Sequence, residues 1–270
     1  MNSNEDQTIL PLFEDAAYDE GMRHWLSSDF MRFLGYANYS SFAQVINKAM
    51  GVCASLGVDI SEAFVPSQHR TEGKTVYKLS RFACFLVAMH SDERKDEVKR
   101  ARIYLAAFAS SVIDATASEE SFVRLEMRNE LKDSEKTLSG VAQSAGLKPH
   151  EFGIFKDAGF RGMYNMSLND LKNRKGFAGK GTLYDFMDRT ELAGNFFRVT
   201  QTTERIRTEN CRGLNKLAAT AVQVGAEIRQ MMIKNSGTPP ESIPLVEDVN
   251  VVKRRLKGAH KEMKRIDKIA

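Results

Sequence analysis

Beyond residue 213 the apolar residues recur at alternating steps of three and four. Leu214, Leu217, Ala221, Val224, Ile228 and Met231 make a first run. After a break at Gly237-Thr238-Pro239-Pro240, Val249, Val252, Leu256, Ala259, Met263, Ile266 and Ala270 resume it. That period places each set on one side of an α-helix, so this end of the chain must form two helices that each bury one face. The pattern is also a heptad seam, although each run is shorter than the roughly three to four heptads of a coiled coil. Two partners are open to such faces: other helices of the same bundle, or a second subunit.

The first part of the chain reads differently. Ser28 is expected to cap a short helix over 29–34 that stops at Gly35. Phe42, Val45, Ile46 and Ala49 mark a second helix over 39–50. Residues 57–74 are polar and contain Pro66 and Gly73, which predicts a loop or hairpin, and Thr75-Val76-Tyr77 a short strand. Leu79 to Met89 is almost wholly apolar and reads as a helix buried on all sides. Helices are expected over 97–117, over 119–138, and in a short piece ending at Gly146. Residues 147–182 are rich in glycine and turn signals, and 183–207 is again helical. Strand content is confined to the first third, so the predicted class is α+β, mainly α. The expected divisions are a small α/β unit over 1–117, a helical region over 118–238, and a linker with a basic amphipathic helix over 239–270.

Composition narrows the function. No apolar run reaches the ~20 residues that cross a bilayer. The first twenty residues hold six acids and no Lys or Arg, unlike a secretory leader. Cys53, Cys84 and Cys211 are scattered and odd in number, which argues against a disulfide scaffold or a CxxC metal site. A cytoplasmic protein with no membrane partner is expected. Net charge is only +4, but from Val251 onward eight cations face two acids. Such a segment attracts polyanions, nucleic acid above all, or is simply a solvated helix face.

Catalytic patterns are missing. The five histidines have no metal-ligand spacing, there is no G-x-S-x-G elbow, and neither a metal nor a cofactor is expected. Gly176-Phe-Ala-Gly-Lys-Gly-Thr182 departs from a phosphate loop at Arg174 and Gly181. It reads as a basic loop offering Lys172, Arg174, Lys175 and Lys180 to phosphates, or as a solvated turn. Glu191, Asn195 and Arg198 fall on one helical stripe with Thr202 and Arg205. That stripe suits a buried polar network; the other reading is a catalytic surface in which Asp185 or Asp188 joins Glu191. Arg81 either anchors a salt bridge or presents its guanidinium to phosphate.

Particular residues then resemble known families. Trp25-x-Ser27-Ser28-Asp29, Leu34-Gly35-Tyr36-x-x-Tyr39-x-x-Phe42, Tyr77-x-Leu79-Ser80-Arg81-Phe82-Ala83-Cys84 and Arg102-x-Tyr104-Leu105-Ala106 resemble the BRO-N domain. Arg128-Asn129-Glu130-Leu131-Lys132, Ala145-Gly146-Leu147, Gly159-Phe160-x-Gly162-Met163-Tyr164 and Glu191-Leu192-Ala193-x-Asn195-x-Phe197-Arg198-x-Thr200-Gln201-Thr202 resemble the DinD family of DNA damage-inducible bacterial proteins. The match runs in order over about residues 10–245. It departs at His90-Ser91, where Asn-Gly is usual, and in the basic tail.

The resemblance implies an accessory protein of the SOS response that binds DNA, single- or double-stranded, or a recombinase-coated filament, and modulates repair or recombination. It carries over no catalytic residues, and the protein is expected not to be an enzyme. Arg81, Lys172, Arg174, Lys175, Lys180, Lys253, Arg254, Arg255, Lys257, Lys261, Lys264 and Arg265 are the expected DNA contacts, with a homodimer through the C-terminal helices. The rival readings are a phage-type regulator or antirepressor and a metal-dependent nuclease.

Overall fold

The computed structural model of the chain describes residues 9–112 and 119–268, which divide into two compact units. The first comprises residues up to 122 together with 251 onward, and the second residues 123–250. The basic C-terminal segment is therefore no appendage: it belongs to the first unit. Residues 1–8, the helix end expected at Ala117 and the seam position Ala270 lie outside the described residues.

The first unit runs α1 (Ile9–Asp15), β1 (Tyr18–Asp19), β2 (Arg23–Leu26), α2 (Ser27–Phe33), α3 (Tyr39–Leu56), the single turn α4 (Ile60–Ala63), β3 (Phe64–Thr71), β4 (Lys74–Leu79), α5 (Arg81–His90) and α6 (Asp96–Val112). The strands form an antiparallel sheet in the order β1-β2-β4-β3. Residues 57–74 thus hold one turn of helix and most of a hairpin. Its tip is Glu72-Gly73, with φ of 50° and 71°, the left-handed pair that tight hairpins favour. Glu72 has a second task, because its carboxylate accepts from the Tyr39 and Ser40 amides at 3.1 Å and fixes the start of α3.

Helix α5 is the core of this unit. Ser80 caps it by accepting from the Ala83 amide at 3.1 Å, and every residue from Arg81 to Met89 is buried. It shows no apolar periodicity because no face meets water. Ser28 does not cap α2. The helix begins two residues earlier than expected, at Ser27, which is buried with its hydroxyl accepting from the Tyr77 amide at 2.8 Å. Helix α3 runs past Met50 to Leu56 and stops at Gly57, whose φ of 67° closes it in the left-handed conformation.

The second unit contains most of α7 (Glu119–Ser144), then α8 (Phe152–Tyr164), α9 (Leu168–Arg174), α10 (Arg189–Thr208) and α11 (Gly213–Ser236), with 3-10 turns at Pro149–Glu151, Leu183–Phe186 and Pro240–Ser242. The expected pair of helices ending at Gly146 is the single helix α7. The glycine-rich stretch also holds a full helix, α8, where turn signals predominate in the sequence. Its glycines make a packing face: a Cβ on Gly162 would lie 2.2 Å from the Val222 carbonyl oxygen of α11, and one on Gly225 would lie 2.7 Å from the Met163 amide nitrogen. Only glycine lets these two backbones approach so closely.

Helix α12 (Val249–Ile266) completes the chain. Its seam residues Val252, Leu256, Ala259 and Met263 are each 1–2% exposed, and His260 lies 5.1 Å from the ring of Phe82. The Arg23 amide donates to the Asp267 carbonyl at 2.9 Å, and Lys268 bridges to Met22. The α12 face, which the sequence left open to the same chain or to a second copy, is covered by the chain's own first unit.

Candidate nucleic-acid interface

Arg81 is the first of the expected cations in chain order, and two carboxylates of its own chain, Glu14 and Asp267, bind it. Its guanidinium is 2% exposed. Nε donates to both Asp267 oxygens at 2.9 and 3.0 Å, and Nη2 donates to Asp267 at 2.7 Å and to Glu14 at 2.9 Å. Nη1 also bonds Glu14, which accepts in addition from the Tyr104 hydroxyl and, at 3.3 Å, from Arg23. The planar cation lies 4.8 Å from the Trp25 ring and 4.4 Å from that of Phe108. Burial alone would raise the Glu14 pKa, but the bonds from Arg81 and Tyr104 outweigh it and hold it below the usual range. Arg81 therefore ties α1, α5 and the chain's last described residues together and is not presented to an outside phosphate.

The glycine-rich loop divides its cations. Arg174 and Lys180 are exposed, and Lys172 is half-buried with its ammonium 5.7 Å from the Phe177 ring. Lys175 points inward instead. Its side chain is 2% exposed, and Nζ bonds the Glu191 carboxylate at 2.9 Å and the Ile243 carbonyl at 2.6 Å.

Glu191 is wholly buried. The Tyr164 hydroxyl donates to it at 2.9 Å, Asn195 donates to Tyr164 at 2.7 Å, and Arg198 donates to the Asn195 side-chain oxygen at 3.1 Å and to the Tyr184 hydroxyl at 3.1 Å. Burial pushes the Glu191 carboxyl up to about 7, with Lys175 and Tyr164 partly offsetting it. The two aspartates of the nuclease reading are engaged elsewhere: Asp185 accepts from Arg128 at 2.7 Å, and Asp188 caps α10 at the Glu191 amide, also at 2.7 Å. Among the described residues no three His, Cys, Asp or Glu side chains gather into a metal-holding group.

The remaining cations lie on α12. Arg254, Lys257, Lys261 and Lys264 are all exposed and follow one another at steps of three, four and three, so they form one stripe. The buried seam occupies the other side of the helix. Lys264 pairs with Glu62 at 2.9 Å and Arg265 with Glu262 at 2.8 Å, both at the surface. Lys253 and Arg255 flank the stripe and are half-buried. Lys268, exposed just beyond the helix, is a further surface cation that the expected set left out. Over Arg254–Lys264 the stripe is about 15 Å long at 1.5 Å per residue, the span of roughly four phosphates along one strand.

The expected DNA contacts thus fall into two groups on different units, Arg174 and Lys180 on the second and the α12 stripe on the first. Arg81 and Lys175 serve as internal counter-ions. The sequence missed Tyr164 and Tyr184 as network members, because an isolated tyrosine in a glycine-rich segment carries no periodic signal. No helix among the described residues is long and apolar enough to cross a membrane.

Comparison with known proteins adds two findings. A family model, the DinD C-terminal domain, matches residues 118–252. The chain is also similar to DNA damage-inducible protein D of Escherichia coli (strain K12), at 31% identity over 241 residues, which covers 83% of this chain and 87% of that protein.

Proposed function

Because the chain belongs to the DinD family, we propose that it acts in the DNA-damage response as a non-enzymatic accessory protein that binds DNA and modulates recombination or repair. The observation that carries this reading is the α12 stripe: four exposed cations in register on a helix whose opposite face is fixed in the first unit. A rigidly mounted row of Lys and Arg binds a phosphate backbone with little loss of conformational freedom. It reads charge and spacing but no base sequence, as suits a protein that acts wherever damage occurs. Arg174 and Lys180 supply a second cationic group on the other unit. The resemblance of the first third to the BRO-N domain points the same way.

The rival readings find less support. A regulator dimerising through the C-terminal seam would need Val252, Leu256, Ala259 and Met263 free, and all four are buried in the same chain. A nuclease would need Glu191 accessible to substrate, and it is enclosed with Lys175 and Tyr164 as partners. The test is a salt titration of binding to labelled single- and double-stranded DNA of random sequence. A steep slope with little sequence preference supports the proposal, and absence of binding at low salt removes it.

A further inference from the structure

The second unit contains a cavity of about 620 Å³ between α7, α8, α10 and α11, within the roughly 300–1,000 Å³ of pockets that take small organic molecules. Its apolar wall comes from Phe152, Phe155, Val199 and Ala221. Its charged groups are Lys132, Lys136, Lys156, Arg198 and Glu135, four cations against one carboxylate. That carboxylate is already bound, by Lys156 at 2.9 Å.

Arg198 sets this cavity apart. Its residue is 4% exposed, yet no described carboxylate pairs with it; its bonds go to the neutral Asn195 and Tyr184. A buried guanidinium without a counter-charge is costly, since it cannot shed its proton, and the Phe160 ring 5.1 Å away offsets that cost only in part. A Cβ on Gly159 would lie 2.2 Å from Arg198 Nη1, so the guanidinium occupies the space beside the bare backbone at 159.

We propose that this cavity binds a small organic anion, its carboxylate, sulfonate or phosphate group meeting Arg198 and its flat apolar body lying over Phe152 and Phe155. Lys132 at the rim adds long-range attraction, and Lys136, paired with Asp133 at 2.9 Å, adds less. The inference is independent of the DNA-binding reading, since the cavity and the α12 stripe belong to different units.

Two dyes of nearly identical body test it on the full-length protein by fluorescence: 8-anilinonaphthalene-1-sulfonate, an anion, and N-phenyl-1-naphthylamine, its neutral counterpart. The expected result is saturable binding of one anionic dye per chain, with the neutral dye at least tenfold weaker. Lys132→Glu with Lys136→Glu, both at exposed positions, should weaken the anion at least fivefold and leave the neutral dye alone. Ser139→Trp, exposed on α7 at the cavity wall, should abolish binding of both. Melting curves establish that these variants are folded. Equal affinity for the two dyes, or anion binding indifferent to the folded rim and wall variants, overturns the proposal.

Discussion

Replacing Arg81 with Met tests how the first unit is held together. The substitution keeps an unbranched apolar stem and removes the guanidinium, leaving Asp267, whose side chain is 4% exposed, without its ion-pair partner and the partly buried Glu14 with Arg23, at 3.3 Å, as its remaining one. Breaking a buried pair in this way costs about 3–5 kcal/mol. Loss of the cation's contacts with Trp25 and Phe108 adds on the order of 1 kcal/mol. For a unit of about 140 residues, each kcal/mol moves the melting temperature by roughly 3–4 °C, so a fall of about 10–20 °C is expected. The assay is built into the chain. Trp25 is its one tryptophan; it is 2% exposed in the first unit and stacks on Phe13 at 4.4 Å, so intrinsic fluorescence follows this unit alone. Adding Glu14→Gln and Asp267→Asn to Arg81→Met removes the stranded charges and should restore most of the loss. A fluorescence melt within 3 °C of the parent for Arg81→Met, or a triple variant no more stable than the single one, refutes the reasoning. Truncation after Val249 should abolish the Trp25 transition, since it removes Asp267 and four buried seam residues together; it is unfit as a test of DNA binding for the same reason.

Further outcomes concern the second unit and pH. Gly225→Ala should destabilise the α8–α11 crossing by about 2 kcal/mol or more, because its methyl meets backbone atoms and overpacking exceeds the gain in helix propensity, whereas Gly140→Ala, with open space around it, should stabilise α7 by about 0.5–1 kcal/mol; chemical denaturation followed by circular dichroism compares them. Lys175→Met should cost the second unit about 3 kcal/mol by stranding the buried Glu191 carboxylate at high pH, with the loss shrinking as Glu191 protonates below pH 7. The two units should respond oppositely to acid. The raised Glu191 pKa gives stability that is full at about pH 4.5 and lost as pH rises through about 7, whereas His90, pushed down to about 4 by burial, gives stability present above its ordinary value of 6.5 and lost as pH falls towards 4. Each is worth up to about 3 kcal/mol. Glu191→Gln and His90→Gln should flatten the corresponding slopes in circular dichroism and Trp25 fluorescence melts.

What the sequence conveyed follows from the kind of signal each element carries. Helix α5 was readable because eight apolar residues in a row, Phe82 to Met89, leave no other arrangement, and α12 because its period is clean. The partner of α12 was not readable, since a heptad seam specifies a face to be buried and not the surface that buries it. Arg81 posed the same difficulty: it lies 186 residues from Asp267, and nothing local announces the pairing. Helix α8 was hidden because glycine marks a turn in one setting and a close helix crossing in another, and only the facing backbone of α11 distinguishes them. At the candidate interface, the exposed stripe could be derived from spacing alone. The inward course of Lys175 could not, because a lysine amid polar neighbours looks solvated until Glu191 is placed beside it.

The proposed DNA-binding role rests on the cations that α12 presents at the surface. Its most direct test is the salt dependence of duplex binding for the parent and for a variant carrying Arg254→Glu, Lys257→Glu and Lys261→Glu, three exposed positions that leave the seam and Asp267 intact. The account predicts weaker binding, a slope of log affinity against log salt shallower by about 0.9 for each lost contact, close to three units in all, and an unchanged Trp25 melt. Unaltered affinity and slope in a folded variant would contradict it and move the interface away from this helix.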